Sequence, residues 1–164
     1  MVRRLFHITP PIRLEIGCGN IDHRRDGYAG LDIIDHGQAI VWDVEDGLPL
    51  PDASCSEIYA SHVFEHLHQE KLIDVFNECW RALEKGGTLW VVVPSRNRAE
   101  AYIPSHLTLF DEATFKFFTG GLNPDYNIEE LHQGAAVHVI KMWDIKELVT
   151  NNRGDIHCKM TPRR

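Results

Sequence analysis

The feature that most restricts this chain is how little sequence separates its first apolar runs. Ile12, Leu14 and Ile16 alternate with polar residues and end at Gly17-Cys18-Gly19, the pattern of a strand running into a tight turn. The next run, Tyr28–Ile34, starts after the polar stretch Gly17–Gly27, eleven residues long. A parallel crossover that contains a full helix takes about a dozen residues or more. Eleven hold at most a helical turn or two. The third run, Gln38–Trp42, follows an even shorter connection.

The rest of the chain reads as ordinary α/β alternation. Asp43–Ser54 is a loop through Asp46-Gly47 and Leu48-Pro49-Leu50-Pro51-Asp52. Ser56–Ala60 is a fourth strand. The period of Leu67, Leu72, Val75, Phe76, Cys79, Trp80 and Leu83 predicts a helix over Phe64–Leu83, closed by Gly86-Gly87. Thr88–Val93 is almost wholly apolar, as in a central strand covered on both faces. Residues 95–110 read as a loop over the sheet's carboxyl edge, and Asp111 caps a short helix, Glu112–Phe118. Gly120–Gln133 reads as irregular. Alternation at Ala136–Val149 and Asp155–Thr161, around Asn151-Asn152-Arg153-Gly154, predicts a terminal hairpin.

A length of 164 residues suits one domain, 1–164, with a core of its own. The formal charge of −7 argues against a generally basic nucleic-acid-binding surface. No run approaches the ~18 apolar residues of a spanning helix, and Met1–Pro11 lacks an apolar signal core. Cys18, Cys55, Cys79 and Cys158 are scattered without a CxxC pair, which favours reduced thiols and a cytoplasmic setting.

A glycine turn after one strand and an acid on the next, Asp32, is the layout of a site for a nucleoside cofactor. A dinucleotide would need GxGxxG opening a long helix. Here the third glycine position is Asp22, whose charge would repel a pyrophosphate. A nucleotide-dependent oxidoreductase is therefore the weaker alternative. A phosphate-free cofactor does not need that helix dipole. Asp32 can accept two hydrogen bonds from a ribose diol.

In order along the chain, Leu14–Asn20, Leu31-Asp32-Ile33, Asp43 through Leu48–Asp52, Ser56–Leu67 and Leu83–Leu89 resemble the motifs of class I S-adenosylmethionine-dependent methyltransferases. More narrowly, they resemble the small Methyltransferase-11-like group. The resemblance covers about Ile12–Ser95. It implies a reduced Rossmann-like sheet, mostly parallel, with a C-terminal antiparallel hairpin and shortened early helices. An N-terminal helical cap over the cofactor has no counterpart here. It also implies cofactor contacts from Glu15, Gly17, Cys18, Gly19, Asn20, Asp32, Ile33, Asp43, Val44, Ser61 and His62. Asp32 would take the ribose, Asp43 the adenine amino group, and Glu15 the cofactor's own amino group.

Ser61 and His62 end the fourth strand, near the expected sulfonium. No Asn/Asp-Pro-Pro sequence occurs there, which argues against methylation of nucleic-acid bases. Glu65, His66 and His68, with His62 four residues before His66, form a metal-like spacing. Histidines four apart can share a helix face, but a full site needs ligands from elsewhere. The expectation is a helix start carrying an acid and surface histidines, with no metal. His106, on the loop after the fifth strand, is the candidate general base, with Tyr102 and Phe110 as candidate walls of an acceptor pocket. The expected reaction is methyl transfer to a small-molecule or sugar-like acceptor, at oxygen. The alternative is a catalytically inactive partner subunit of the same fold, and the bare sheet makes a homo-oligomer an expected cover.

Overall fold

The computed structural model describes residues 9–20, 24–120 and 140–164. Its strands are β1 (Ile12–Ile16), β2 (Ala29–Asp32), β3 (Ile40–Val41), β4 (Cys55–Ser61), β5 (Leu83–Pro94), β6 (Trp143–Thr150) and β7 (Asp155–Pro162). They form one seven-stranded sheet in the order β3-β2-β1-β4-β5-β7-β6. The pairs from β3 to β5 are parallel, and β7 and β6 add antiparallel at the far edge. The order reverses direction between β1 and β4, so their carboxyl ends open a crevice. The glycine turn sits in it.

One face of the sheet carries the core. Alternation puts Leu14, Ile16, Ile58, Ala60, Leu89, Val91, Ile156 and Cys158 there, all essentially without exposure. Helix α1 (Leu72–Ala82) packs on this face through Val75, Phe76 and Cys79. Phe76 stacks on Phe118 at 4.0 Å between ring centroids and meets Phe64, Phe115 and Trp143 edge-on. Truncating such a ring typically costs about 3–5 kcal/mol. Helix α2 (Glu112–Phe117) starts at a reciprocal capping box between Asp111 and Thr114.

The other face has no helix among the described residues. Its cover is made of the sheet's own side chains. Glu15, Tyr59, Trp90, Lys159 and Glu147 stand in direct register across β1, β4, β5, β7 and β6. Tyr59 and Trp90 meet edge-on at 4.9 Å. Arg25, from the first crossover, lies 4.0 Å over Tyr59 and 4.7 Å from Trp90, and Lys159 lies 4.5 Å over Trp90. Aromatic faces attract cations, and long basic side chains cover apolar surface with their stems. The central strand β5 is therefore covered on both faces, but on this side by side chains in place of a helix.

Several boundaries differ from the sequence reading. The helix expected over Phe64–Leu83 is two 3-10 turns, Phe64–His66 and Gln69–Lys71, followed by α1. Tertiary hydrogen bonds claim the backbone that a helix would use: Glu65 O accepts from the amides of Leu107 and Thr108, Leu67 O from the Thr108 hydroxyl, and Glu45 takes the His68 amide. The helix ends at Ala82, because Leu83 already pairs with Cys55, and Gly86-Gly87 form an irregularity inside β5. Strand two stops at Asp32, whose carboxylate turns the chain by accepting the Ile34 amide. Strand three is only Ile40–Val41. The loop after β5 carries a 3-10 turn, Ala99–Tyr102. The hairpin is present, its first strand beginning at Trp143; the expected alternation over Ala136–Val139 lies outside the described residues, as does the irregular segment from residue 121 onward and Asp22.

Candidate active site

A cleft of about 420 Å³ lies at the carboxyl ends of the parallel strands, lined by Ile16, Gly17, Leu31, Asp32, Ile33, Trp42, Asp43, Val44, Glu45, His62, Val63, His66, Leu67 and His68. Its walls are mainly apolar, with carboxylates along one side. Of the residues expected to meet a cofactor, Gly17, Asp32, Ile33, Asp43, Val44 and His62 converge here. Glu15, Cys18, Gly19, Asn20, Ser61 and His106 do not line it.

The glycine turn is built by two constraints. Gly17 has φ +67°, and a Cβ there would stand 2.1 Å from a methyl of Val63. Gly19 has φ +55° and open space around it. Asp32 ties the turn to β2: one oxygen accepts the Gly19 amide at 2.9 Å, the other the Ile34 amide at 3.0 Å. Each carboxylate oxygen has a second lone pair, so Asp32 keeps acceptor capacity toward the cleft. Asp43 caps the 3-10 turn Val44–Asp46 by accepting the Glu45 amide.

Glu15 serves the scaffold: it is buried, and its carboxylate accepts the Arg25 amide at 2.9 Å. That bond holds Arg25 above the aromatic face. Cys18 is buried beside Gly30, where burial pushes its thiol up to about 11. Phe110, expected as a pocket wall, is fully buried and stacks on Phe115, so it belongs to the core. Tyr102 is exposed.

His62 follows β4 in the left-handed region, at φ +54°, a conformation uncommon for a residue with a Cβ. Its Nδ1 lies 3.1 Å from a Glu65 oxygen. That hydrogen bond raises the His62 pKa, with partial burial opposing it. Glu65 is only 1% exposed, and its second oxygen has no protein partner. The loop after β5 is pinned over this turn by the Leu107 and Thr108 amides, which donate to Glu65 O at 2.7 and 3.1 Å. The pinning brings His106 edge-on to His66, with ring centroids 4.7 Å apart. Glu65, His66 and His106 each offer one ligand atom within 4.8 Å of the others. Spacing grouped Glu65 and His66 with His62 and His68; that His106 joins Glu65 and His66 across forty residues follows from the loop's hydrogen bonds.

The strand order and the cleft beside the glycine turn define the fold of class I methyltransferases. The family model described as Methyltransferase domain matches residues 14–91. The match spans just under half of the chain and, with the shared fold, gives it a methyltransferase domain. A SAM-dependent methyltransferase from Archaeoglobus fulgidus is similar at 18% identity, with 91% of this chain and 86% of that one covered and a TM-score of 0.61. The N-methyltransferase NodS from Bradyrhizobium japonicum, in complex with S-adenosyl-L-homocysteine, is similar at 13% identity, covering 95% and 80% with a TM-score of 0.61. A putative methyltransferase from Haloferax volcanii, in complex with the Trm112 activator, is similar at 13% identity, covering 96% and 85% with a TM-score of 0.63. The curated proteins yield no match.

The residues of the cleft fit S-adenosylmethionine. Its sulfonium is cationic, and Asp32, Asp43 and Glu45 place negative charge along the cleft. It has no phosphate, and no helix follows the glycine turn among the described residues of the first crossover to offer one a dipole.

Proposed function

We propose that this chain is an S-adenosylmethionine-dependent methyltransferase that methylates an oxygen of a small-molecule or sugar-like acceptor. The observation that carries the proposal is the placement of His106 against His66, a residue of the cleft wall. Gly17 and Gly19 would let backbone amides approach the cofactor, Asp32 would take the ribose hydroxyls, and Asp43 with Val44 would meet the adenine. The cofactor supplies a methyl group already activated on a positively charged sulfur. The protein's task is mainly to align the acceptor with it. A hydroxyl acceptor must also lose its proton, and His106 would take it as the new C–O bond forms and the S–CH3 bond breaks, leaving a neutral thioether.

The cleft's acidic lining supports a small neutral or cationic acceptor over a polyanion. The reading extends to the whole chain acting as one domain in the cytoplasm, supported by four cysteines that are all free and buried. No helix among the described residues is long and apolar enough to cross a membrane.

The test has two stages. Calorimetry with S-adenosylhomocysteine should show binding. Labelled methyl transfer should then favour hydroxyl over amine acceptors, and His106→Ala should lower kcat about 100-fold or more while leaving S-adenosylhomocysteine affinity unchanged. Absence of binding, or transfer only to amines, contradicts the proposal.

A further inference from the structure

We propose that Glu65, His66 and His106 form a binding site for a divalent first-row transition-metal ion at the wall of the cofactor cleft. Three features carry the proposal. The first is the donor set: one carboxylate and two imidazoles, their ligand atoms within 4.8 Å of one another. Mixed oxygen and nitrogen donors suit Zn²⁺, Mn²⁺ or Fe²⁺, whereas Ca²⁺ and Mg²⁺ prefer oxygen alone. Three protein ligands leave a coordination position open.

The second feature is charge. The Glu65 side chain is 1% exposed, and one of its oxygens is buried with no hydrogen-bond partner. An ionised carboxylate in that state is costly unless a counter-charge completes it. His62 serves the other oxygen at 3.1 Å, so the open oxygen is the one left for an ion. Nδ1 of His106 is likewise buried without a partner.

The third is orientation. Nδ1 of His66 lies 2.9 Å from the carbonyl of Ser105. A carbonyl only accepts, so Nδ1 carries the proton and Nε2 keeps its lone pair. Fixing the tautomer of a ligating histidine through a backbone carbonyl is the usual outer-sphere arrangement. The hydrogen bonds from Leu107 and Thr108 to Glu65 O hold the loop and the turn together with no ion required, so the three ligands are preorganised. His66 and His62 line the cleft, which puts the ion where an acceptor oxygen could occupy its open position. That role rests on the oxygen-acceptor reading, with His106 a free base in the metal-free chain and a ligand in the loaded one. Binding of the ion itself does not depend on that reading.

The test is calorimetric titration of Zn²⁺, and separately Mn²⁺, into the untagged, chelator-treated chain, with circular dichroism on each variant. The expected result is one saturable site per chain for at least one ion. Binding should weaken at least tenfold in Glu65→Gln and in His106→Ala, and stay within twofold in His36→Ala, whose exposed imidazole is outside the cluster. No saturable binding to the wild type, or a His106→Ala variant that binds as tightly as the wild type, overturns the proposal. Should Glu65→Gln fail to fold, His106→Ala on the loop decides alone. A parallel titration with S-adenosylhomocysteine separates the two readings: cofactor binding without metal overturns this inference only, and metal binding without cofactor overturns the proposed function only.

Discussion

The carboxylate of Asp32, at the end of β2, accepts the backbone amide of Gly19, in the turn after β1, at 2.9 Å. One side chain thus shapes the glycine turn and lines the cleft at the strands' carboxyl ends. Asp32→Ala should weaken S-adenosylhomocysteine binding by more than tenfold in calorimetry. It should also lower stability by about 1–3 kcal/mol in urea unfolding, because two backbone amides lose a charged acceptor.

Gly17 tests the other constraint on the turn. With φ +67° and a Cβ position 2.1 Å from Val63 Cγ2, Gly17→Ala carries about 1–2 kcal/mol from the left-handed backbone and about 1–3 kcal/mol from overpacking. Adding Val63→Ala should recover the packing part and leave the backbone part. A double-mutant cycle on denaturant midpoints separates them.

Arg81 fastens the Leu48–Asp52 loop to α1. It donates to Leu48 O, Leu50 O and Asp52, and pairs with Glu78 at 2.8 Å, while Glu78 accepts the Leu48 amide. The Arg81 hydrogen bonds hold the Glu78 pKa below its usual value, against its partial burial. A depressed carboxylate stabilises the fold at pH values above its unfolded pKa, near ~4.3, and that stability fades as pH falls through the folded value. Arg81→Met should therefore flatten the loss of stability below about pH 4 and cost about 2 kcal/mol at neutral pH, read from urea midpoints across pH.

The cysteines should be inert in the folded protein. Burial pushes the Cys55 thiol to about 11 and the Cys158 thiol to about 12, and raises Cys79 further still. Thiolate is the reactive form, so Ellman's reagent at pH 8 should label none of the four within minutes and all of them in guanidinium.

Arg25 covers the aromatic face by lying over Tyr59 and Trp90. Arg25→Ala should cost about 1 kcal/mol, shift Trp fluorescence to longer wavelength and promote self-association in light scattering, since the uncovered rings form an apolar patch.

The short crossover, the glycine turn, the acid on the second strand and the terminal hairpin were legible in the sequence because each is a local pattern: period-two alternation, a residue that tolerates positive φ, a turn tetrapeptide. They determined a reduced parallel sheet with a glycine turn and an acid at its carboxyl edge. Three things were decided only by tertiary contacts. The 64–71 segment gave up helical bonding because Leu107, Thr108 and Glu45 took its backbone groups. Phe110 went into the core and His106 to the Glu65–His66 turn, although both belong to one loop. The bare face of the sheet was covered by a register that lines up Tyr59, Trp90 and Lys159 from three different strands. Periodicity reports what a residue's neighbours in the chain prefer; it carries no information on which distant donor reaches a carbonyl first.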